Sequence, residues 1–124
     1  MKDIKRISEI ERSYVNEVLD SHFSTSSGSK MNTRLEEAFA QRYGSKFAIT
    51  FVNGTTTMHT ILLAAGVGKG DEVIVPPLTM ASTTFAVLHV GATPVYADVD
   101  ATTYQIDARS IRKKITEKTK AIIT

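Results

Sequence analysis

Cysteine is absent from these 124 residues, which removes disulfides, thiolate metal sites and thiolate nucleophiles together. Histidine is scarce, and His22, His59 and His89 show no ligand spacing such as HxxxH, so a metal site is not expected. Charge of one sign is nearly balanced, at +2 from fifteen basic and thirteen acidic residues. The one basic run, "RSIRKK" at 109–114, reads as a solvated helix face and is too little for nucleic acid. Long apolar runs are missing too: "ILLAAGV" falls far short of a membrane span, and the first residues, "MKDIKRISEIERSY", carry charge throughout. What remains is 42% hydrophobic, enough for a modest core. A soluble, cytoplasmic protein without membrane or nucleic-acid partners is the expectation.

The apolar residues that are present fall into two periods. Ile4, Ile7, Ile10, Tyr14, Val18 and Leu19 recur every three or four positions, which predicts a helix with one buried stripe ending near Ser21. "STSSGS", 24–29, is a loop by composition. Thr33 and Glu36 then stand as a capping box for a second helix, with Leu35, Phe39 and Tyr43 on one face and Gly44 as its left-handed stop. From Lys46 the pattern changes. "KFAITFV" is apolar, aromatic and β-branched, as in a strand covered on both faces. After "NGTTT", Met58, Ile61, Leu62 and Ala65 return to helical spacing, and "EVIV" follows as a strand. A helix over 81–90 carries Phe85, Leu88 and His89 on related faces, and "PVYADV" is the next strand. Asp107 caps a helix containing Ile111 and Ile115, and "KAIIT", ending at Thr124, forms a last strand.

This alternation builds right-handed βαβ units, so the fold class is α/β with a mainly parallel sheet. No internal repeat, low-complexity linker or domain boundary is expected within 1–124. A parallel strand delivers its carboxyl end to a ligand crevice, so a chain stopping at Thr124 is expected to be the N-terminal part of something longer.

Two glycine-bearing stretches compete as a phosphate site. "GVGKG", 66–70, fails on context: Leu63 stands where a Walker A loop needs its first glycine, and Gly70 stands where it needs Ser or Thr. Its helix also precedes it, so it is a stop, with Gly66 as the left-handed cap. "NGTTT", 53–57, has the opposite context, opening a helix whose free N–H groups and positive dipole end suit an anion. Gly54 permits close backbone approach, and Thr55, Thr56 and Thr57 add hydroxyls. One of these threonines capping the helix explains the segment equally well. "VPPLTMAS" repeats the situation, with Thr79 placed to cap the next helix, and the carboxylates of "ADVD" read first as turn aspartates, since no basic partner stands nearby.

Taken together, "LEEAFAQRYGSKFAI", "NGTTTMHTILLAAGVGKGDEVIVPPLTMAST", "AVLHVGATPVYADVD" and "YQIDARSIRKKITEKTKAII" resemble, in order and almost without gaps, the DegT/DnrJ/EryC1/StrS sugar aminotransferases. The resemblance implies the three-layer α/β/α sandwich of fold type I, of which this chain would be the N-terminal part of the large domain. It implies pyridoxal 5'-phosphate as cofactor, its phosphate held by Gly54, Thr55 and Thr56, and Met80 in the place of an aromatic residue that stacks on the pyridine ring. Met80 is a departure, because a thioether covers a ring face by polarizable contact without a stack. The resemblance further implies amino transfer, typically from glutamate, to a keto group of a nucleotide-linked sugar, in a homodimer whose partner lies close to the first helix and the "STSSGS" loop. The lysine that forms the internal aldimine matches no lysine in 1–124 and is expected beyond Thr124, so no catalytic residue is assigned and the chain alone is expected to be inactive. Two alternatives stand beside this: a non-catalytic remnant or interaction domain, and a sugar dehydratase of the same family with histidine in place of the lysine.

Overall fold

The computed structural model describes residues 7–21 and 30–124. Ile4, His22 and the "STSSGS" segment lie outside the described residues. The chain divides into two compact units, 1–50 and 51–124.

In the first unit, α1 spans Glu9–Asp20 and α2 spans Lys30–Tyr43. The capping box sits at α1, not α2: the Glu11 carboxylate accepts from the Ser8 backbone N–H, at 2.6 Å, and from the Ser8 hydroxyl. Thr33 is inside α2, which begins three residues earlier, and Glu36 is used elsewhere. Its Oε1 accepts both the backbone N–H and the hydroxyl of Thr50, each at 2.8 Å. Those two donors hold the Glu36 carboxyl below its usual range, the backbone N–H first. Gly44 ends α2 at φ +65°, as its position predicts. The α1 stripe exists but is not buried: Ile7, Ile10 and Leu19 are more than half exposed, and among the described residues the main packing of α1 is against α2. Between the helices Tyr14, Val15, Val18, Leu19, Met31 and Leu35 line an apolar groove of about 600 Å³. Arg34 bridges its end, with Nη1 3.1 Å from Glu17 and its guanidinium 4.7 Å above the Tyr14 ring.

The expected strand "KFAITFV" is not one. A strand needs a hydrogen-bonded neighbour, and among the described residues none pairs with 46–52. Instead the Thr50 N–H goes to Glu36, the Ser45 hydroxyl donates to the Phe47 carbonyl, and Phe47 and Ile49 stand exposed.

The second unit is α/β. Helix α3 covers Gly54–Ala64, β1 Glu72–Val75, α4 Ala81–His89, β2 Thr93–Tyr96, α5 Ala108–Lys114 and β3 Thr119–Ile122. The strands form one parallel sheet in the order β2-β1-β3. The last strand is set slightly earlier than "KAIIT" suggests. Pairing ends at Ile122, the Ile123 N–H still reaches the Ile74 carbonyl at 2.9 Å, and Thr124 is an exposed residue outside the strand. Central β1 explains the uninterrupted "EVIV": Val73, Ile74 and Val75 are fully buried, as both faces of a parallel strand require. Pro94 is tolerated because β2 is an edge strand, where no second ladder needs its missing N–H. Leu62 of α3, Val67, and Ala86 and Val87 of α4 close the core over Val73 and Val75, with Met58, Ala121 and Ile123 packed against them. The inward face of α4 is therefore Thr83, Ala86 and Val87, whereas Phe85 and Leu88 are half exposed. Likewise Ile61 of α3 points away from the core that Leu62 enters.

Candidate functional site: the first turn of α3

Helix α3 begins where the chain leaves its extended approach at Asn53, whose backbone is still in the β region at φ −165°. Asn53 is the N-cap. Its Oδ1 accepts the Thr56 N–H at 2.9 Å, and its carbonyl accepts the Thr57 N–H at 3.2 Å. The same carbonyl takes the hydroxyls of Thr56, at 2.8 Å, and Thr57, at 3.1 Å. So no threonine caps the helix. Asparagine does, and two of the threonine hydroxyls lean back onto it.

This leaves an asymmetric first turn. Of its four N–H groups, those of Thr56 and Thr57 are satisfied, while those of Gly54 and Thr55 have no acceptor among the described residues. The Thr55 hydroxyl is equally uncommitted and the side chain is half buried. Gly54 is informative for a different reason. Its backbone does not need glycine, since its φ is not positive, and a Cβ built there would meet nothing within 4 Å. The fold therefore leaves open space beside two free donors at the positive end of a helix. Thr56, by contrast, has both its donors spent on Asn53.

The second segment is less equipped. Helix α4 is capped at Met80, which makes no side-chain cap, and Thr79 does not cap it: its hydroxyl meets that of Thr83 at 3.1 Å. Met80 is 76% exposed, a free apolar side chain at a helix entrance. Helices α3 and α4 pack together, but among the described residues no hydrogen bond joins 79–80 to 53–57.

"GVGKG" is the helix stop expected of it. Gly66 stands at φ +73° and Gly70 at φ +98°, and the N–H groups of Gly66 and Val67 close onto the carbonyls of Leu63 and Leu62. The Asp71 carboxylate accepts the Gly68 N–H at 2.9 Å, so this turn's own acidic residue occupies it. In "ADVD", Asp100 is a turn aspartate accepting the N–H groups of Thr102 and Thr103 at 2.9 and 3.0 Å. Those donors, Thr103 first, lower its carboxyl below the usual range. A basic partner does exist. The bridge between Val99 and Ile106 turns the chain back so that Arg109 comes within 3.9 Å of Asp100.

The chain matches the DegT/DnrJ/EryC1/StrS aminotransferase family over residues 5–124. It belongs to that family. Among its relatives is the GDP-perosamine synthase of Escherichia coli O157:H7, 44% identical over 113 residues, covering 91% of this chain and 31% of that protein. The GDP-perosamine synthase of Caulobacter vibrioides is 43% identical over 130 residues, covering 99% and 35%. Of solved structures, the aminotransferase from Psychrobacter cryohalolentis superposes with a TM-score of 0.87 at 38% identity, over 95% of this chain and 30% of that one. The E. coli GDP-4-keto-6-deoxy-D-mannose-3-dehydratase with bound hydrated PLP gives 0.83 at 29% identity, over 96% and 32%. The chain thus spans about a third of the length of the curated relatives it matches. The family match runs through both the asparagine-capped turn and the Met80 segment, as far as Thr124, and the parallel sheet is that of the family's fold.

Proposed function

We propose that this member of the DegT/DnrJ/EryC1/StrS family holds the phosphate of pyridoxal 5'-phosphate at the first turn of α3, within an enzyme that aminates a nucleotide-linked keto sugar. The observation that carries the reading is the pair of unsatisfied N–H groups at Gly54 and Thr55, beside a glycine whose Cβ space is empty. The residues present fit a phosphate monoester. Gly54 and Thr55 offer backbone donors, Thr55 adds its hydroxyl, and the dipole of α3 favours the negative charge. Thr56 serves the same site from behind, since its contacts to Asn53 hold the turn in the conformation that leaves the other two donors free. The exposed Met80 thioether would cover a face of the pyridine ring by polarizable contact. Residues 1–124 supply phosphate and ring contacts, and none of their lysines is assigned as the covalent anchor of the cofactor.

When bound, the cofactor supplies the electron sink that amino transfer needs. An amino donor, for which we take glutamate, and a nucleotide-linked keto sugar are the two substrates. A second copy of the chain completes the site, and the enzyme works in the cytoplasm. Among structural superpositions, 38% identity to the Psychrobacter cryohalolentis aminotransferase, against 29% to the dehydratase, supports amino transfer over dehydration.

The test separates the two threonines. In the intact protein, Thr55→Val removes a hydroxyl that faces the phosphate and weakens PLP retention, read by equilibrium dialysis, by about 1.5–3 kcal/mol. Thr56→Val removes a bond to Asn53 and lowers the melting temperature more than the affinity. Unchanged PLP affinity in Thr55→Val removes the phosphate assignment.

A further inference from the structure

His59 and His89 lie on different helices, and no spacing in the sequence links them. The packing of α3 on α4 brings them together: their ring centroids are 5.5 Å apart and their planes meet at 65°. His59 is half buried in α3 and His89 is exposed in the last turn of α4. Neither forms an ion pair or a hydrogen bond among the described residues, so their ring nitrogens are uncommitted. Phe85 lies nearly parallel to His89, at 6.5 Å and 17°.

We propose that His59 and His89 form a two-imidazole site for a late first-row transition cation such as Zn²⁺, Ni²⁺ or Cu²⁺. Imidazole nitrogens bind zinc at about 2.0–2.1 Å, and two rings presenting one nitrogen each to a tetrahedral ion therefore have centroids roughly 5 Å apart. The observed separation is of that size, and rings set at a steep angle, unlike parallel stacked ones, can turn their in-plane lone pairs toward one point. No third histidine, cysteine or carboxylate joins them among the described residues, so water fills the remaining positions and the ion exchanges readily. Magnesium and calcium are excluded by their preference for oxygen ligands. A bound ion clips α3 to α4, the two helices that begin at Gly54 and after Met80. The site is independent of what the first turn of α3 binds.

Titration of the intact protein with Zn²⁺ against a chromogenic chelator is expected to show one cation per chain. His59→Gln and His89→Gln each weaken binding at least tenfold, while His22→Gln leaves it unchanged and Mg²⁺ does not compete. Cu²⁺ bound to the unaltered protein shows two imidazole nitrogens in its paramagnetic resonance spectrum, a readout that does not depend on the variants folding. No binding below millimolar Zn²⁺ overturns the proposal. So does binding that only one of the pair, or only His22→Gln, weakens, or a spectrum with a single nitrogen.

Discussion

Helices α3 and α5 both start from a β-region N-cap whose side chain accepts a backbone N–H, yet one cap is neutral and the other charged. At α5, the Asp107 carboxylate takes the Arg109 N–H at 2.9 Å and the Arg109 Nε at 3.2 Å, so the helix end carries its own counter-ion. At α3, Asn53 makes the corresponding bond at 2.9 Å without bringing charge. As caps the two residue types are nearly equivalent. The choice of asparagine leaves the two open donors of α3 facing an uncompensated dipole, whereas at α5, where the N–H groups of Ala108 and Ser110 likewise have no acceptor among the described residues, the carboxylate already supplies the negative charge. A closed helix end and an open one can thus be told apart by the charge of one side chain.

The substitution with the largest expected effect makes the open end resemble the closed one. Asn53→Asp keeps the cap and hence the melting temperature, but puts a full negative charge beside the proposed phosphate. Two unit charges about 5 Å apart in an effective dielectric of about 20 repel by roughly 3 kcal/mol. PLP affinity measured by fluorescence titration should fall accordingly, with much of the loss recovered at high salt. An Asn53→Asp protein that binds PLP as the parent does would mean that the turn's charge is irrelevant to its ligand.

Gly54→Ala comes next. Nothing in the protein lies within 4 Å of the added methyl group, and alanine is the better helix former, so stability should hold or rise slightly. The ligand, however, meets the methyl group where it approaches the backbone. We expect a loss of roughly 1–2 kcal/mol in PLP affinity, the scale of overpacking. Gly66→Ala is the control at the other end of the same helix: at φ +73° it costs stability, by about 1–2 kcal/mol, and leaves PLP affinity alone. If the two glycines respond alike, the division of α3 into a binding end and a stopping end is wrong.

Much of this architecture is legible in the residue order, and its failures have physical causes. "GVGKG" and "NGTTT" are distinguishable because their contexts differ: glycine after a helix stops it, and polar residues before one open it. The buried strand "EVIV" and the cap at Asp107 follow from equally local signals. Asn53 is harder to single out as the cap, although asparagine is a favoured cap residue and stands directly before the helix, because three threonines compete for the role. The strand expected at 46–52 fails because pairing depends on a neighbour that the residues themselves cannot specify. The inward face of α4 is misleading for a related reason: Phe85 is the largest apolar side chain there, but the residues the helix turns inward are Thr83, Ala86 and Val87. The meeting of Arg109 with Asp100, and of His59 with His89, depends on tertiary packing that no sequence spacing encodes.

The smallest expected effect is at the closed end, and it concerns acid. In the folded chain the Arg109 backbone N–H first, then the Arg109 side-chain hydrogen bond, hold the Asp107 carboxyl below its usual range, with nearby Asp100 opposing. A group whose folded pKa is depressed stabilises the fold above its unfolded pKa, about 3.9, and that contribution fades as pH falls through the lower folded value. Asp107→Asn retains the cap, so at neutral pH the melting temperature should change little. Below about pH 4 the parent should lose stability more steeply than the variant, because only the parent has this carboxylate to protonate. Asp100 titrates in the same window with its own lowered pKa, so the slope should shrink without vanishing, and adding Asp100→Asn should flatten it further. Asn53 has no proton to gain, so the same acid titration cannot loosen the cap of α3. If Asp107→Asn and the parent lose stability in parallel from about pH 5 to 2, the carboxylate does not close α5 by its charge, and the contrast between the two helix ends rests on hydrogen bonding alone.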